Sequence, residues 1–201
     1  MSKLVCGVGF NDKTRPANVD GKAVKEYALW ADMLKRCFSE KLQTRCPTYR
    51  GCSVSDNFLH YPFFYDWCHE QIGFGKVEDK GRSWCLDKDI LFTGNKTYSE
   101  TACVFVPQEI NVFFNEHGNA RGEYPLGVYF HKASGKFKAQ CNVNDKRQYL
   151  GLFDTPEEAF NAYKPFKENL CKQLALKWQH EIDTRLFNAM MNWSVKSVLP
   201  N

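Results

Sequence analysis

The sequence predicts an α+β chain in two parts: a helix-rich N-terminal part with short strands, and a C-terminal three-stranded antiparallel sheet packed on a helix. Three observations carry this. From Lys136 to Val143 polar and apolar residues alternate, with Lys136, Lys138, Gln140 and Asn142 on one side and Phe137, Ala139, Cys141 and Val143 on the other; residues two apart on a strand share a face. Thr155-Pro156-Glu157-Glu158 joins an N-cap, a proline at the first helical position and a glutamate that reaches back to the cap, so a helix follows the strands. Tyr27, Trp30, Ala31, Leu34 and Phe38 fall at helical spacing near the start of the chain.

Taken in order, the first helix runs from Val24 to about Leu42, and the stretch Ser39 to Val54 reads as loop, broken by Pro47 and Gly51. A second helical stretch, Asn57 to Ile72, is dense in aromatic residues, whose ordinary use is core packing. Pro62 suits its first turn, where no backbone donor is needed. A glycine-and-charge loop, Gly73 to Gly81, leads into a strand, Trp84 to Leu91, and Gly94-Asn95 is a turn signal. After Val104-Phe105-Val106 a helix opens near Pro107, with Gln108, Glu109, Ile110, Asn111 and Phe114 on its first two turns. His117 to Glu123 lacks apolar periodicity and reads as a linker.

Strands follow around Leu126–Lys132, Gly135–Val143 and Arg147–Phe153, then the helix opened at Thr155. Pro165 removes a donor ten residues in and predicts a kink or break near Tyr163–Lys164. Leu170, Leu174 and Trp178 continue an apolar stripe beyond it, and a last helix, about Thr184 to Val195, turns Leu186, Phe187, Met190 and Trp193 inward. The organisation expected is residues 1–117, 118–180 and a terminal helix within 181–201.

Composition bounds the function. With 201 residues, 43% hydrophobic and 25% charged, the chain can bury a core and is neither a membrane protein nor wholly disordered. A net charge of +4 does not by itself call for nucleic acid, but its distribution is uneven. Lys132, Lys136, Lys138, Lys146 and Arg147 face a single acid, Asp145, within residues 131–148. Such a patch attracts phosphate, although a solvated hairpin carries the same charges. Nine cysteines without a Cys-x-x-Cys pair, and a first segment without an apolar core, are expected of free thiols in a reducing cytoplasm. Cys46, Cys52, Cys68 and His69 match no standard zinc spacing, so no structural zinc is expected.

Two runs resemble known families. Gly127-Val128-Tyr129, Gly135-Lys136-Phe137-Lys138-Ala139, Leu150-Gly151-Leu152-Phe153, and Glu158-Ala159 with Ala162-Tyr163 resemble the DNA-binding domain of plant ethylene-response factors, a module also appended to phage endonucleases. That resemblance implies a sheet entering the major groove of double-stranded DNA, with Lys132, Lys136, Lys138, Gln140, Asn142, Lys146, Arg147 and Tyr149 as DNA-binding residues. Trp84-x-Leu-Asp-Lys-Asp-Ile, Gly94-Asn95, Tyr98-Ser99 and Cys103-x-Phe105-Val106-Pro107-x-x-Ile110-Asn111 resemble the HNH family in its phage homing-endonuclease branch. Gly7-Val8-Gly9-Phe10-Asn11-Asp12 and the run Tyr27 to Cys37 look like the same branch.

This second resemblance implies a ββα-metal domain with flanking helices. One Mg²⁺ or Mn²⁺ would be held by Asp87 or Asp89 on the strand and Asn111 on the helix. A phage-encoded DNA endonuclease in the cytoplasm of an infected cell follows, with DNA and a possible host or phage protein as partners and no membrane. The family also places a histidine base on the strand and an orienting asparagine nine residues before Asn111. Here no histidine lies between His69 and His117, Cys85 and Lys88 stand where a base would, and the asparagine position is Ala102. Two readings stay open: a metal-dependent nuclease with a degenerate site, or a catalytically impaired DNA-binding or protein-interaction protein on the same frame.

Overall fold

Helix α1 (Lys25–Phe38) turns Trp30, Met33, Leu34 and Cys37 into the core, and Trp30 anchors it by donating its indole N–H to the Phe58 carbonyl at 2.7 Å. In the computed structural model residues 4–79, 81–114, 123–143 and 146–196 are described. They form two compact units, Met1–Asn111 with His180–Leu186, and Val112–Gln179 with Phe187–Asn201. The boundary expected at residues 117 and 118 falls outside the described residues, as does the expected linker up to residue 122.

In the first unit a two-stranded hairpin, β1 (Asn18–Val19) and β2 (Lys22–Ala23), precedes α1. The single helix expected to reach Leu42 ends at Phe38. Ser39 is extended and accepts the Leu42 N–H, capping a new short helix, α2 (Glu40–Arg45). A 3₁₀ turn at Pro47–Tyr49 and strand β3 (Ser53–Val54) follow. The aromatic helix is also divided, into α3 (Asp56–Leu59) and α4 (Tyr61–Glu70). The break has a tertiary cause: Phe10 donates to the Leu59 carbonyl and accepts from Tyr61, each at 2.9 Å, so another chain segment takes backbone groups that a continuous helix would use. Pro62 stands in the first turn of α4, as expected. Strand β4 (Cys85–Asp87) pairs antiparallel with β6 (Val104–Val106), and β5 (Thr97–Tyr98), between them in sequence, pairs parallel with β3. Helix α5 (Gln108–Phe114) opens directly after β6.

The second unit holds β7 (Val128–His131), β8 (Lys136–Val143) and β9 (Lys146–Phe153) in that spatial order, all antiparallel. Helix α6 (Pro156–Trp178) covers one face. Ala139 and Cys141 meet Ala159, Phe160 and Tyr163 in a buried cluster. The capping box expected at Thr155 and Glu158 is formed. No break occurs at Pro165. Pro165 and Asn161 lie on the exposed side of α6, where water can take the carbonyl left without its donor. The opposite side is pinned at Tyr163, Lys167, Cys171 and Ala175, so packing carries the helix through. The buried stripe therefore differs from the expected one; Leu170, Leu174 and Trp178 flank it, half-buried. The ammonium of Lys167 lies 3.8 Å from the Phe113 ring centre. Helix α7 (Thr184–Met191) buries Leu186 and Met190 completely.

A bulge sets the register of β9. Ala139 pairs with Gly151 but Gln140 with Tyr149, leaving Leu150 as the extra residue. Leu150 and Phe153, three apart, can then both pack on the core cluster, which an unbroken period of two forbids. Gly151 has φ +140°, and a Cβ there would lie 2.8 Å from the Phe153 ring. Gly151→Ala should cost about 1–3 kcal/mol, read as a lower urea midpoint. Gly135, in open space in the β7–β8 turn, should lose less on the same change.

Candidate functional site

Strand β4, its pairing with β6 and the turn through Pro107 into α5 assemble a strand–loop–strand–helix unit from residues 85–114. Cys85 pairs with Val106, and its Sγ lies 2.8 Å from Gln108 Oε1 as donor, tying β4 to the first turn of α5. Burial pushes the Cys85 thiol up, so less of it is thiolate near neutral pH than of a free cysteine. Asn111 lies half-buried on α5, its N–H donating to the Pro107 carbonyl at 3.0 Å.

The strand is shorter than expected and ends at Asp87. Asp87 Oδ1 accepts the N–H groups of Asp89 and Ile90 at 2.9 and 2.8 Å, so the carboxylate itself turns the chain out of the strand. Asp89 therefore does not share a strand face with Asp87; it is exposed just past the turn. Burial, and then the neighbouring Asp89 carboxylate, raise the Asp87 carboxyl above its ordinary value of 3.8, against the lowering effect of those two N–H groups. Two carboxyls this close repel when both are ionised, and the Lys88 ammonium beside Asp89 already offsets part of that charge. Among the described residues no group of three or more His, Cys, Asp or Glu side chains is placed to hold a metal.

Lys88 turns inward. Its ammonium donates to Asp89 Oδ2 at 3.1 Å and the Asn95 carbonyl at 3.5 Å, and lies 5.6 Å from the Tyr98 ring centre. It is committed to holding the loop. Asn95 is the organising residue there: Nδ2 donates to the carbonyls of Lys88 and Thr97 at 2.6 and 2.7 Å, and Oδ1 accepts the Thr97 N–H at 3.2 Å. The sequence marks Gly94-Asn95 as a turn and as part of the resemblance, without assigning Asn95 this bonding role. Ala102 is buried and offers no side-chain polar group. His69 bonds Glu26 through Nε2 at 2.7 Å and packs between Tyr65 and Phe74, which gives it an aromatic and acidic partner inside its own helical layer.

In the second unit the ladder decides which residues share the open face of the sheet. Directly opposite partners on that face are His131 with Lys136, Lys138 with both Tyr129 and Leu152, Gln140 with Tyr149, and Asn142 with Arg147. Lys136, Lys138, Gln140, Asn142, Arg147 and Tyr149 are thus brought onto one surface. Lys146 pairs with Val143, on the opposite face, and Lys132 lies in the turn after β7. Lys136 is tied to Asp154 at 3.0 Å. Tyr129 and Leu152 escaped the sequence reading. Tyr129 was legible from the hairpin register, whereas Leu152 reaches this face only through the bulge.

Of the free cysteines, Cys37, Cys52, Cys68, Cys103, Cys141 and Cys171 are buried, and burial pushes the thiols of Cys37 and Cys103 up to about 12. No helix among the described residues is long and apolar enough to cross a membrane. No family model, curated protein or solved structure matches the chain.

A carboxyl whose folded pKa is raised loses stability as pH climbs from the unfolded value, because the unfolded chain then ionises more readily. Asp87 should weaken the fold as pH rises above 3.8. Asp87→Asn keeps an acceptor for the two N–H groups, so without divalent cations it should melt higher than wild type at pH 7 and level with it near pH 3. Thermal melts across that range check the sign.

Proposed function

We propose that this protein docks on double-stranded DNA through the open face of the β7–β8–β9 sheet and hydrolyses phosphodiester bonds at an HNH-type centre on the β4–β6–α5 unit. The reading rests on one observation above others: five strand residues able to bond DNA, Lys138, Gln140, Asn142, Arg147 and Tyr149, share a face that α6 leaves open. Lysine and arginine there would meet phosphates and guanine edges, and the amides adenine edges.

Asp87, with Asp89 beside it and Asn111 from α5, would hold Mg²⁺ or Mn²⁺. Such an ion supplies charge stabilisation at the scissile phosphate and the leaving oxygen. The chain's own contribution is positional. Asp87 fixes the turn that presents its carboxylate, Asn95 and Lys88 hold the loop between β4 and β6, and the Cys85–Gln108 bond keeps β4 on the helix. A general base is the gap, since Cys85 and Lys88 both have other partners. That gap favours a second reading, in which the frame binds DNA without cutting it.

Supercoiled plasmid incubated with the protein and Mg²⁺ or Mn²⁺ separates the two. Nicking that requires the metal and is lost in both Asp87→Ala and Asn111→Ala supports the nuclease. Uncut plasmid that still shifts on a gel supports binding alone.

Docking by the sheet has its own readout. Lys138→Ala should weaken duplex binding and make the dependence of log K on log salt shallower by about one. Lys136, already paired with Asp154, should change the slope less. Unchanged affinity and slope in Lys138→Ala would remove this face from the interface.

A further inference from the structure

We infer that Tyr129 and Leu152 are specificity-determining residues that read thymine methyl groups on either side of a guanine contacted by Lys138. The inference rests on the DNA-docking reading above and deepens it. Tyr129 and Leu152 are the two cross-strand partners of Lys138, one on each neighbouring strand. They are 50% and 38% exposed, although the same sheet buries Val128, Ala139 and Cys141 on the other face.

The place of Leu152 is not an accident of an apolar strand. An unbroken period of two from Tyr149 would turn Gly151 and Phe153 outward and Leu152 inward. The bulge at Leu150 reverses this, sending Phe153 to the core and Leu152 to the open face. The row across the three strands is therefore apolar, cationic, apolar. Strands are spaced about 4.8 Å apart, so the row is about 10 Å long, and laid along the major groove it covers about three base pairs at about 3.4 Å each. On the floor of that groove lysine finds guanine O6 and N7, and the apolar feature on offer is the 5-methyl of thymine.

The test uses the full chain and fluorescein-labelled alternating d(TG)·d(CA) duplex, compared with the same duplex carrying uracil for thymine. Uracil keeps every hydrogen-bonding group and lacks only the methyl. Each contacted methyl should be worth about fourfold in affinity, about fifteenfold for two. Tyr129→Ser with Leu152→Ser should abolish the thymine preference while leaving the melting temperature and the salt slope at wild-type values, because the basic residues are untouched. Equal wild-type affinity for the two duplexes would overturn the inference, and so would a preference that survives in the double variant. Tighter binding of single-stranded d(TG) than of duplex would overturn it as well, since stacking rather than methyl contact would then be the use of Tyr129. Salt-independent or absent binding to every probe would overturn the docking reading itself, and this inference with it.

Discussion

The contact of Ala139 and Cys141 with Ala159, Phe160 and Tyr163 determines what the second unit can present. Because strand side chains alternate, closing α6 over one set of β8 residues leaves the other set facing outward. Small residues at 139 and 159 let helix and sheet approach closely. Gly127 serves the same end where β7 begins: a Cβ there would overlap the Tyr163 ring. The open face, with its amides, cations and tyrosines, is what remains once the apolar side has been covered. Its chemistry is inseparable from that packing.

A different economy operates in the first unit. Its strands are two or three residues long, too short to be held by ladder hydrogen bonds alone, and side chains hold the loops between them. Asp87 turns the chain, Asn95 gathers three backbone groups, and Lys88 adds a buried ammonium against Asp89. The cost of this arrangement is borne by Asp87, whose carboxyl is raised by burial and by Asp89. Cys85 and Lys88 are committed in the same way, to Gln108 and to Asp89 with the Asn95 carbonyl, so both serve as scaffold.

Periodicity, capping and alternation depend on residues a few positions apart, and they were legible without a structure. The alternating faces of β8, the capping box at Thr155 and the place of Pro62 all follow from such local rules. The same rules separated the polar from the apolar side of the sheet, and so named most of the residues on its open face.

Contacts between distant segments decided the rest. Phe10 divides α3 from α4 by taking their backbone groups, and packing along Tyr163, Lys167, Cys171 and Ala175 carries α6 through Pro165. A bulge seen only in the pairing of β8 with β9 sends Leu152 outward and Phe153 inward. Whether Asp89 shares a face with Asp87 depended on which donors the Asp87 carboxylate accepted, and two acids spaced two apart do not record that. Sequence spacing therefore determined which residues can share a helix stripe or a strand face. Burial and hydrogen-bond competition, which draw on the whole chain, decided where each strand and helix stops and which of those residues remain free to act.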